Sequence, residues 1–237
     1  MGLKSLFWID DFLSTSLQYW CGVGTVEVLK GVHAIDLSEA GRLSLEVWIL
    51  NCDEGTVLID TGTASTAIDK IEAELKTMGK KWSDIKACLI THKHGDHVRN
   101  LAKVKELSGA EVMSHEGDAA DIERATGVKV KGLKDKEKLP YCGGIEVVSA
   151  PGHSLGNCCY YLPKKKVMIA GDTVFGDDVG NISAPPERYC LDVKQAECEI
   201  KRLLDYDFDV LLITHGEDTM KDAKSKVKEL VEKIGKA

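Results

Sequence analysis

The sequence predicts an α/β fold in which two similar halves pack face to face, with the sheets inside and the helices outside. One pattern occurs twice along the chain: a buried strand ending in aspartate, a helix, and a strand ending in Thr-His. Asp60 and His92 end the strands of the first copy, and Asp172 and His215 end those of the second. Each sheet must bury its apolar face, so two such units favour a sandwich. The spacing of the two copies differs, which excludes a solenoid of equal repeats.

Length and composition are those of an ordinary folded domain. The chain has 237 residues, of which 43% are hydrophobic and 29% are charged, and these fractions are typical of globular proteins rather than disordered or fibrous ones. No composition break or Gly/Ser-rich linker separates the two halves. We therefore predict a single domain over residues 1–237, with a core at roughly 25–220 and a C-terminal helix at 219–234.

Charge and hydropathy bear on partners and location. The net charge of −7 argues against a general polyanion binder, so we expect no nucleic-acid partner. The sequence has no run of about 18 apolar residues, so it predicts no transmembrane helix and no membrane association. Residues 1–20 do not resemble a signal peptide, because Asp10 and Asp11 interrupt the apolar stretch. These features predict a cytoplasmic protein and leave the oligomeric state open.

The eight cysteines contain no C-x-x-C pair, so a zinc knuckle or a thioredoxin-type motif is not supported. In a reducing compartment we expect them to be buried or half-buried thiols. Cys158 and Cys159 are adjacent and lie close to one of the motifs described below. A redox role for that pair is the alternative interpretation.

Apolar periodicity predicts the order of strands and helices. From Leu43 to Ile49, Leu43, Leu45, Val47 and Ile49 alternate with Ser44, Glu46 and Trp48, a pattern that predicts a strand with one buried face. The remaining predicted elements are buried strands at 57–59 and 88–90, helices at 65–79 and 98–109, a strand near 112, a helix after 116, a lysine-rich loop, a strand at 145–148, a hairpin of 160–162 with 167–170, a helix around 196–204 and a strand at 210–213.

Three of the seven histidines fall within the six residues 92–97. In an extended loop His92 and His94 point the same way, because side chains alternate with a period of two, so together they can hold one metal ion. Asp96 and His97 lie at the start of the next helix, where the chain changes direction, and can face a second ion. Imidazole and carboxylate suit zinc, iron or manganese, and the absence of cysteine from the cluster favours an open catalytic site.

These motifs together resemble the metallo-β-lactamase-fold superfamily of hydrolases over roughly residues 25–220. The segments that carry the resemblance are Leu-Ile-Asp60-Thr-Gly, the H-x-H-x-D-H run at 92–97, Pro-Gly-His153-Ser-Leu-Gly, Gly-Asp172-Thr and Thr-His215-Gly. The resemblance implies a four-layer αββα metallo-β-lactamase sandwich of two similar halves. That architecture also accounts for the repeated strand–helix–strand pattern.

The resemblance further implies a role for each motif residue. The implied ligands are His92, His94 and His153 for a first metal, Asp96, His97 and His215 for a second, and Asp172 as a bridge between them. Asp60 is implied to be a supporting carboxylate that orients a histidine, not a ligand. We assign the catalytic role to Asp96 and Asp172.

The implied enzyme is a dinuclear metal hydrolase with two divalent ions, most simply zinc, with iron or manganese as alternatives. Two ions about 3.5–4 Å apart can share a water, and bound zinc can lower the pKa of that water to about 7, so that metal-bound hydroxide attacks the substrate. The segments around His153 and Asp172 resemble hydroxyacylglutathione-hydrolase-like members. We therefore favour cleavage of a thioester or ester-type bond of a small molecule. Few residues follow His215, and we expect no room for the helical domain with which longer members bind glutathione.

Other activities of the same centre stay open. They are lactone or β-lactam hydrolysis, phosphodiester cleavage as in a nuclease, and the chemistry of a mononuclear-iron persulfide dioxygenase. A binding module without enzyme activity is the last alternative, and the complete set of motif residues argues against it.

Five further side chains have no role assigned by a motif. Arg99 is interpreted as a solvated helix residue, with contact to an anionic substrate group as the alternative. Arg188 and Tyr189 lie after Asp172 in a loop that could border the site or simply lead into the next helix. We expect His115 to lie at the surface, with contact to the site as the alternative, and His33 is given no function.

Overall fold

The computed structural model describes residues 25–40, 42–63 and 65–236. Residues 1–20, which we expect not to be a signal peptide, lie outside the described residues. Within these ranges fourteen strands form two main sheets and one small hairpin. The strands are β1 Thr25–Leu29, β2 Val32–Asp36, β3 Glu46–Cys52, β4 Gly55–Ile59, β5 Ile85–Ile90, β6 Glu111–His115, β7 Lys131–Leu133, β8 Lys138–Leu139, β9 Ile145–Ser149, β10 Cys158–Leu162, β11 Val167–Ile169, β12 Phe175–Gly176, β13 Ile182–Ser183 and β14 Val210–Leu212.

Six α-helices connect or cover these strands in the described ranges. They are α1 Ala67–Thr77, α2 Gly95–Val98, α3 Leu101–Ser108, α4 Glu116–Thr126, α5 Val193–Glu199 and α6 Ala223–Ile234. Short 3₁₀ turns occupy Trp82–Asp84, Gly171–Thr173, Glu187–Tyr189 and Ile200–Asp205. None of the helices described here combines the length and the apolar character that crossing a membrane would require.

The two main sheets divide the chain into an N-terminal and a C-terminal half. The first has the order β1-β2-β3-β4-β5-β6-β7 and the second has the order β14-β11-β10-β9-β8. In the first sheet β4, β5 and β6 run parallel, with α1 between β4 and β5 and with α2 and α3 between β5 and β6. In the second sheet β11 and β14 run parallel, with α5 between them. Parallel pairing brings the carboxyl ends of these strands to one edge of each sheet.

Three apolar clusters among the described residues fill the spaces between the two sheets and the two helix layers. Trp48 and Leu89 from the first sheet and Tyr160 and Ile169 from the second share the central apolar cluster, so the sheets face each other. The outer face of the first sheet packs on α1, α3 and α4, and the outer face of the second packs on α6 and the 200–205 turn. The four layers confirm the predicted αββα sandwich of two halves.

The prediction of a strand with one buried face at 43–49 is wrong. The strand is β3 and begins at Glu46, while Leu43 remains 48% exposed. Trp48 and Ile49 are both 0% exposed, because Trp48 enters the central cluster and Ile49 the outer one. Both faces of β3 are covered, so alternation cannot identify which residues are buried.

Three helix predictions also need correction. The helix predicted at 98–109 is divided at Arg99 and Asn100, with α2 before them and α3 after them. The helix around 196–204 changes to a 3₁₀ turn after α5. The C-terminal helix begins at Ala223 rather than at 219, because Thr219 pairs with Leu211 through two backbone hydrogen bonds of 2.9 Å.

The expectation that all cysteines are thiols is wrong for two of them. Cys52, at the end of β3, forms a disulfide with Cys142, in the loop before β9, across a sequence separation of 90 residues. The two cysteines meet only when the two halves have packed, so spacing along the chain could not indicate the bond. Disulfides are rare in reducing compartments, and the cytoplasmic location stays a prediction.

Cys158 and Cys159 are free thiols, as expected, and both are 0% exposed. They are consecutive residues of β10 and point to opposite faces, one into the central cluster and one into an outer cluster. Burial raises the pKa of both thiols, that of Cys159 to about 12. Protonated, separated thiols do not support a redox role for the pair.

Candidate metal centre

The candidate ligands are delivered to one edge of the sandwich by the ends of strands. His92 follows β5, and α2 begins at Gly95 and carries Asp96 and His97. His153 lies in the loop between β9 and β10, Asp172 follows β11, and His215 follows β14. Where the two sheets meet at this edge, the backbone N–H of Glu46 donates to the carbonyl of Thr214 at 3.0 Å.

Three histidines form the first cluster. His94 Nδ1 lies 2.9 Å from His92 Nε2 and 2.9 Å from His153 Nε2, and the last two atoms are 3.2 Å apart. His92 and His153 are buried, and His94 is half-buried at the cleft. Three ring nitrogens that converge on one point form an arrangement that could hold a metal ion.

A second cluster contains Asp96, His97 and His215. Asp96 Oδ2 lies 3.2 Å from His215 Nε2 and 3.9 Å from His97 Nε2. This second set of three could also hold a metal ion. Carboxylate and imidazole ligands of this kind suit zinc, iron or manganese.

Asp172 contacts both clusters. Its Oδ2 lies 3.3 Å from His153 Nε2 and 3.5 Å from His215 Nε2, while its Oδ1 lies 3.2 Å from His97 Nε2. Asp172 Oδ1 and His97 Nε2 are both buried and have no hydrogen-bond partner within the described parts of the chain. Leaving such atoms unpaired costs free energy, and a cation between the clusters would satisfy both. The residues present therefore fit a metal centre.

The second ring nitrogen of four of the histidines has a partner outside the centre. His97 Nδ1 lies 2.8 Å from Asp60 Oδ2, and His92 Nδ1 lies 3.2 Å from Thr91 Oγ1. His215 Nδ1 contacts the carbonyl oxygen of Ser44, and His153 Nδ1 lies 3.7 Å from Cys190 Sγ. Such partners fix the tautomer and orientation of a metal-binding imidazole.

The electrostatics of the two clusters differ. Burial, together with the charge of His97, lowers the pKa of His92 well below its usual value, and burial together with His153 lowers the pKa of His94. Lowered pKa values keep these imidazoles neutral, as metal ligands must be. Burial alone would also lower the pKa of His97, but the charges of Asp60 and Asp172 raise it well above the usual value.

The pKa values of Asp172 and His215 are also shifted by burial and by their charged neighbours. Burial would raise the pKa of Asp172, but the imidazoles of His97 and His92 hold it well below its usual range. For His215 burial would lower the pKa, but the hydrogen bonds that its ring donates to Asp172 and Asp96 raise it to about 10. In the metal-free chain the second cluster therefore holds protons, which a bound divalent cation would replace.

The centre lies at the floor of a cleft with a volume of about 840 Å³. Its apolar lining residues are Leu37, Leu43, Leu45 and Phe175. Arg42, Arg188 and Tyr189 also line the cleft, and the Arg188 guanidinium lies over the Tyr189 ring at 4.6 Å. Glu39 also lines the cleft and pairs with Arg42 at 3.3 Å. The cleft thus offers an apolar surface and, at Arg188, a positive charge next to the candidate metal ligands.

Of the five side chains singled out in the sequence without a motif role, the structure brings Arg188 and Tyr189 to the cleft lining. Arg99 is exposed at the end of α2, in agreement with a solvated residue. His115 caps α4 and accepts a hydrogen bond from Gly117 N at 3.2 Å. His33 Nδ1 lies 2.6 Å from Glu74 Oε1, which gives this buried histidine a partner in the core.

Sequence reasoning missed the residues that support the centre from outside. Ser44 was interpreted only as a polar position of a strand, and Asp118 and Cys190 received no role. Asp118 is 0% exposed, but a single aspartate in the first turn of a helix is common and gives no signal of burial. The contacts of Ser44 and Cys190 arise from loops that meet only in the folded chain.

Fold and site together define an αββα protein with a cluster of seven histidine and aspartate side chains at the edge of its sheets. The chain matches the metallo-β-lactamase superfamily over residues 43–216. It belongs to the metallo-β-lactamase superfamily. A solved structure described as a metallo-β-lactamase from Pontibacter korlensis has a TM-score of 0.71 and 24% identity, and the match covers 88% of this chain and 98% of that one.

Curated relatives have a more specific name. The chain is 34% identical over 149 residues to a hydroxyacylglutathione hydrolase of Brucella ovis, across 60% of this chain and 55% of that protein. It is 30% identical over 148 residues to a hydroxyacylglutathione hydrolase of Rhizobium meliloti, across 59% and 55% respectively. The match therefore spans about half the length of these relatives.

Proposed function

We propose that this chain is a dinuclear metal hydrolase that cleaves a thioester or ester-type bond of a small molecule. The observation that supports this most directly is the position of Asp172. Its carboxylate contacts ring nitrogens of both clusters, and its Oδ1 faces the unpaired Nε2 of His97. One carboxylate between two sets of ligands suits a bridge between two ions, most simply zinc, with iron or manganese as alternatives.

The chain's own residues supply binding and orientation. His92, His94 and His153 would hold one ion, and Asp96, His97 and His215 would hold the other, with Asp172 shared. Bound divalent ions supply Lewis-acid chemistry and lower the pKa of a coordinated water. Asp60, Thr91, Ser44 and Cys190 keep the second ring nitrogens of the histidines engaged, so that the other nitrogen faces the centre.

The cleft favours a small substrate with an apolar part and an anionic part. The apolar lining residues Leu37, Leu45 and Phe175 suit an acyl group, and Arg188 suits a carboxylate or phosphate. The relatives named hydroxyacylglutathione hydrolase support a thioester as the bond that is cleaved. The match spans about half of those proteins, and the thioester bond is the part of their activity that we propose for this chain.

The test is metal removal and replacement combined with a substrate panel. Protein stripped with a chelator should lose hydrolysis and regain it with zinc, manganese or iron. The panel contains a thioester, a lactone, a β-lactam and a phosphodiester, and we expect the thioester to be cleaved fastest. Asp172→Asn should lower kcat about 100-fold or more, since metal-centred stabilisation amounts to several kcal/mol. The exposed Asp178→Asn is the control and should match the wild type.

Three results would contradict parts of the proposal. Hydrolysis that persists after complete metal removal would exclude a metal hydrolase. Preference for a lactone, β-lactam or phosphodiester would exclude the thioester while leaving the metal chemistry in place. One iron per chain with oxygen consumption on a persulfide would indicate the dioxygenase instead.

A further inference from the structure

Asp118 is a buried carboxylate that the proposed mechanism does not use. It lies in the first turn of α4 and is 0% exposed. Three donors surround it: Lys93 N at 3.0 Å and Ser154 Oγ at 2.5 Å to Oδ2, and Gly156 N at 2.9 Å to Oδ1. Hydrogen bonds to an ionised carboxylate are among the strong ones, and they offset the cost of burying its charge.

These donors belong to the two loops that carry the first histidine cluster. Lys93 stands between His92 and His94, and Ser154 follows His153. Asp118 is 25 residues from Lys93 and 36 from Ser154 along the chain. One carboxylate therefore joins the loop after β5 to the loop after β9, and it fixes the position of each loop relative to the other.

The packing around Asp118 leaves little room for the loops to move. A Cβ on Gly156 would lie 2.7 Å from the Cβ of Asp118, and a Cβ on Gly117 would lie 2.9 Å from the carbonyl oxygen of Leu155. Real Cβ atoms do not approach so closely, so both glycines are required by the contact of α4 with the 153–156 loop.

A second contact connects α4 to the loop of His92 and His94. Lys93 Nζ lies 2.6 Å from Asp121 Oδ2, one turn further along the helix. Two groups of Lys93 thus contact the same helix: the backbone N–H donates to Asp118, and the ammonium group pairs with Asp121. The ion pair is partly exposed and contributes less than the buried contact.

We propose that Asp118 is a positioning residue for the first metal cluster, which sets His92, His94 and His153 in binding geometry through the two loops it joins. This inference rests on the proposed metal-dependent function. Asp118 does not line the cleft, and it acts through its hydrogen bonds with Lys93, Ser154 and Gly156.

The Asp118→Asn variant tests this role with almost no change of size. An amide has one acceptor oxygen, whereas the donors of the two loops approach both carboxylate oxygens. In one orientation an N–H of the amide faces Gly156 N, and in the other it faces Lys93 N and Ser154 Oγ. We expect the two loops to shift relative to each other and zinc affinity, measured by chelator competition, to fall about 10–100-fold, as for other residues that support metal ligands.

The matched control is Asp135→Asn. Asp135 also accepts a backbone hydrogen bond, from Ser149 N at 2.9 Å, and contacts Arg202, but it does not line the cleft. Its variant should bind zinc like the wild type. Ser154→Ala removes only one of the three donors and serves if Asp118→Asn does not fold; its zinc affinity should fall by less.

Two measurements separate this inference from the proposed function: metal binding by the wild type tests the function, and hydrogen exchange on the metal-free protein tests the positioning of the loops. Asp118→Asn should accelerate amide exchange at 92–95 and 153–157 relative to the control, whatever metal the wild type binds. If the wild type binds no metal, the proposed function fails, and the positioning of a metal cluster fails with it even where exchange changes. Loss of folding stability with unchanged zinc affinity would reveal a purely structural residue and overturn the inference, as would unchanged exchange in both loops.

Discussion

Asp60 and His97 form a buried pair in which Asp60 Oδ2 lies 2.8 Å from His97 Nδ1, with both residues 0% exposed. The other oxygen, Asp60 Oδ1, accepts a hydrogen bond from Thr91 N at 2.8 Å. Asp60 has a φ of +60°, a conformation that aspartate and asparagine tolerate better than most residues. The pair keeps the proton on His97 Nδ1 and turns Nε2 toward Asp96 and Asp172.

We predict that Asp60→Asn weakens metal binding without unfolding the protein. Asparagine keeps the backbone conformation and can still accept from Thr91 N, but its amide then meets the N–H of His97. Metal affinity should fall about 10–100-fold, the range found for partners of metal-ligating histidines. Chelator competition measures it, with the exposed Asp69→Asn as control. Equal affinity in the two variants would show that Asp60 does not set the state of His97.

Much of this centre follows from local sequence. The 92–97 run and the Asp60, Asp172 and His215 motifs each end a strand, and parallel strands bring their ends to one edge. The fold class was predictable for the same reason. What local sequence lacked was information on long-range packing, because the buried state of Asp118 and the pairing of Cys52 with Cys142 depend on segments far apart in the chain.

Errors in the secondary structure have a similar cause. The assignment at 43–49 depended on alternation, but β3 is buried on both faces, so alternation did not identify the strand's start or its buried residues. At the C-terminal end, Thr219 pairs with Leu211 before the helix begins, although the apolar period continues through it. In both places tertiary contacts override the local pattern.

Arg188 is expected to bind an anionic group of the substrate. Its side chain is exposed at the cleft, lies over Tyr189, and has no ion pair among the residues that the structure describes. Arg188→Ala should raise KM about tenfold for substrates with a carboxylate or phosphate, which corresponds to about 1.4 kcal/mol of binding free energy. The value of kcat, and the KM for neutral substrates, should stay unchanged. Arg188→Lys should be intermediate, because lysine keeps the charge but loses the planar stack. Arg124→Ala on α4 is the control, and an equal KM change for neutral substrates would refute anion binding.

The carboxyl groups of Glu46 and Asp218 should make stability depend on pH. Glu46 Oε2 and Asp218 Oδ2 are buried and unpaired in the described chain. Burial and the charge of Asp218 raise the pKa of Glu46, and burial raises that of Asp218 to about 7. Acids with raised pKa values bind protons more tightly in the folded state, so their contribution to stability is complete below pH 4 and is lost as pH rises toward 7.

Asp218→Asn should flatten that dependence, since the amide keeps an acceptor for Ile213 N and cannot ionise. Urea unfolding with a chelator present, at pH 4.5 and 6.5, should show the wild type losing about 1–2 kcal/mol more than the variant. Both proteins share the histidines of the metal centre, so the comparison removes their contribution. The exposed Asp178→Asn should follow the wild type, and parallel curves for Asp218→Asn would exclude the proposed pair.

The Cys52–Cys142 disulfide should stabilise the fold without affecting the metal centre. It closes a loop of 90 residues, for which the chain-entropy description gives at most about 4–5 kcal/mol. Cys52 pairs with Gly55 at the start of β4, and Asp60 follows the other end of that strand, so the bond lies away from the metal ligands. The double variant Cys52→Ser/Cys142→Ser should therefore unfold at lower urea and bind metal as the wild type does, whereas Cys198→Ser, at an exposed free cysteine, should change neither. A thiol titration of the denatured, unreduced wild type that finds all eight cysteines free would rule the bond out.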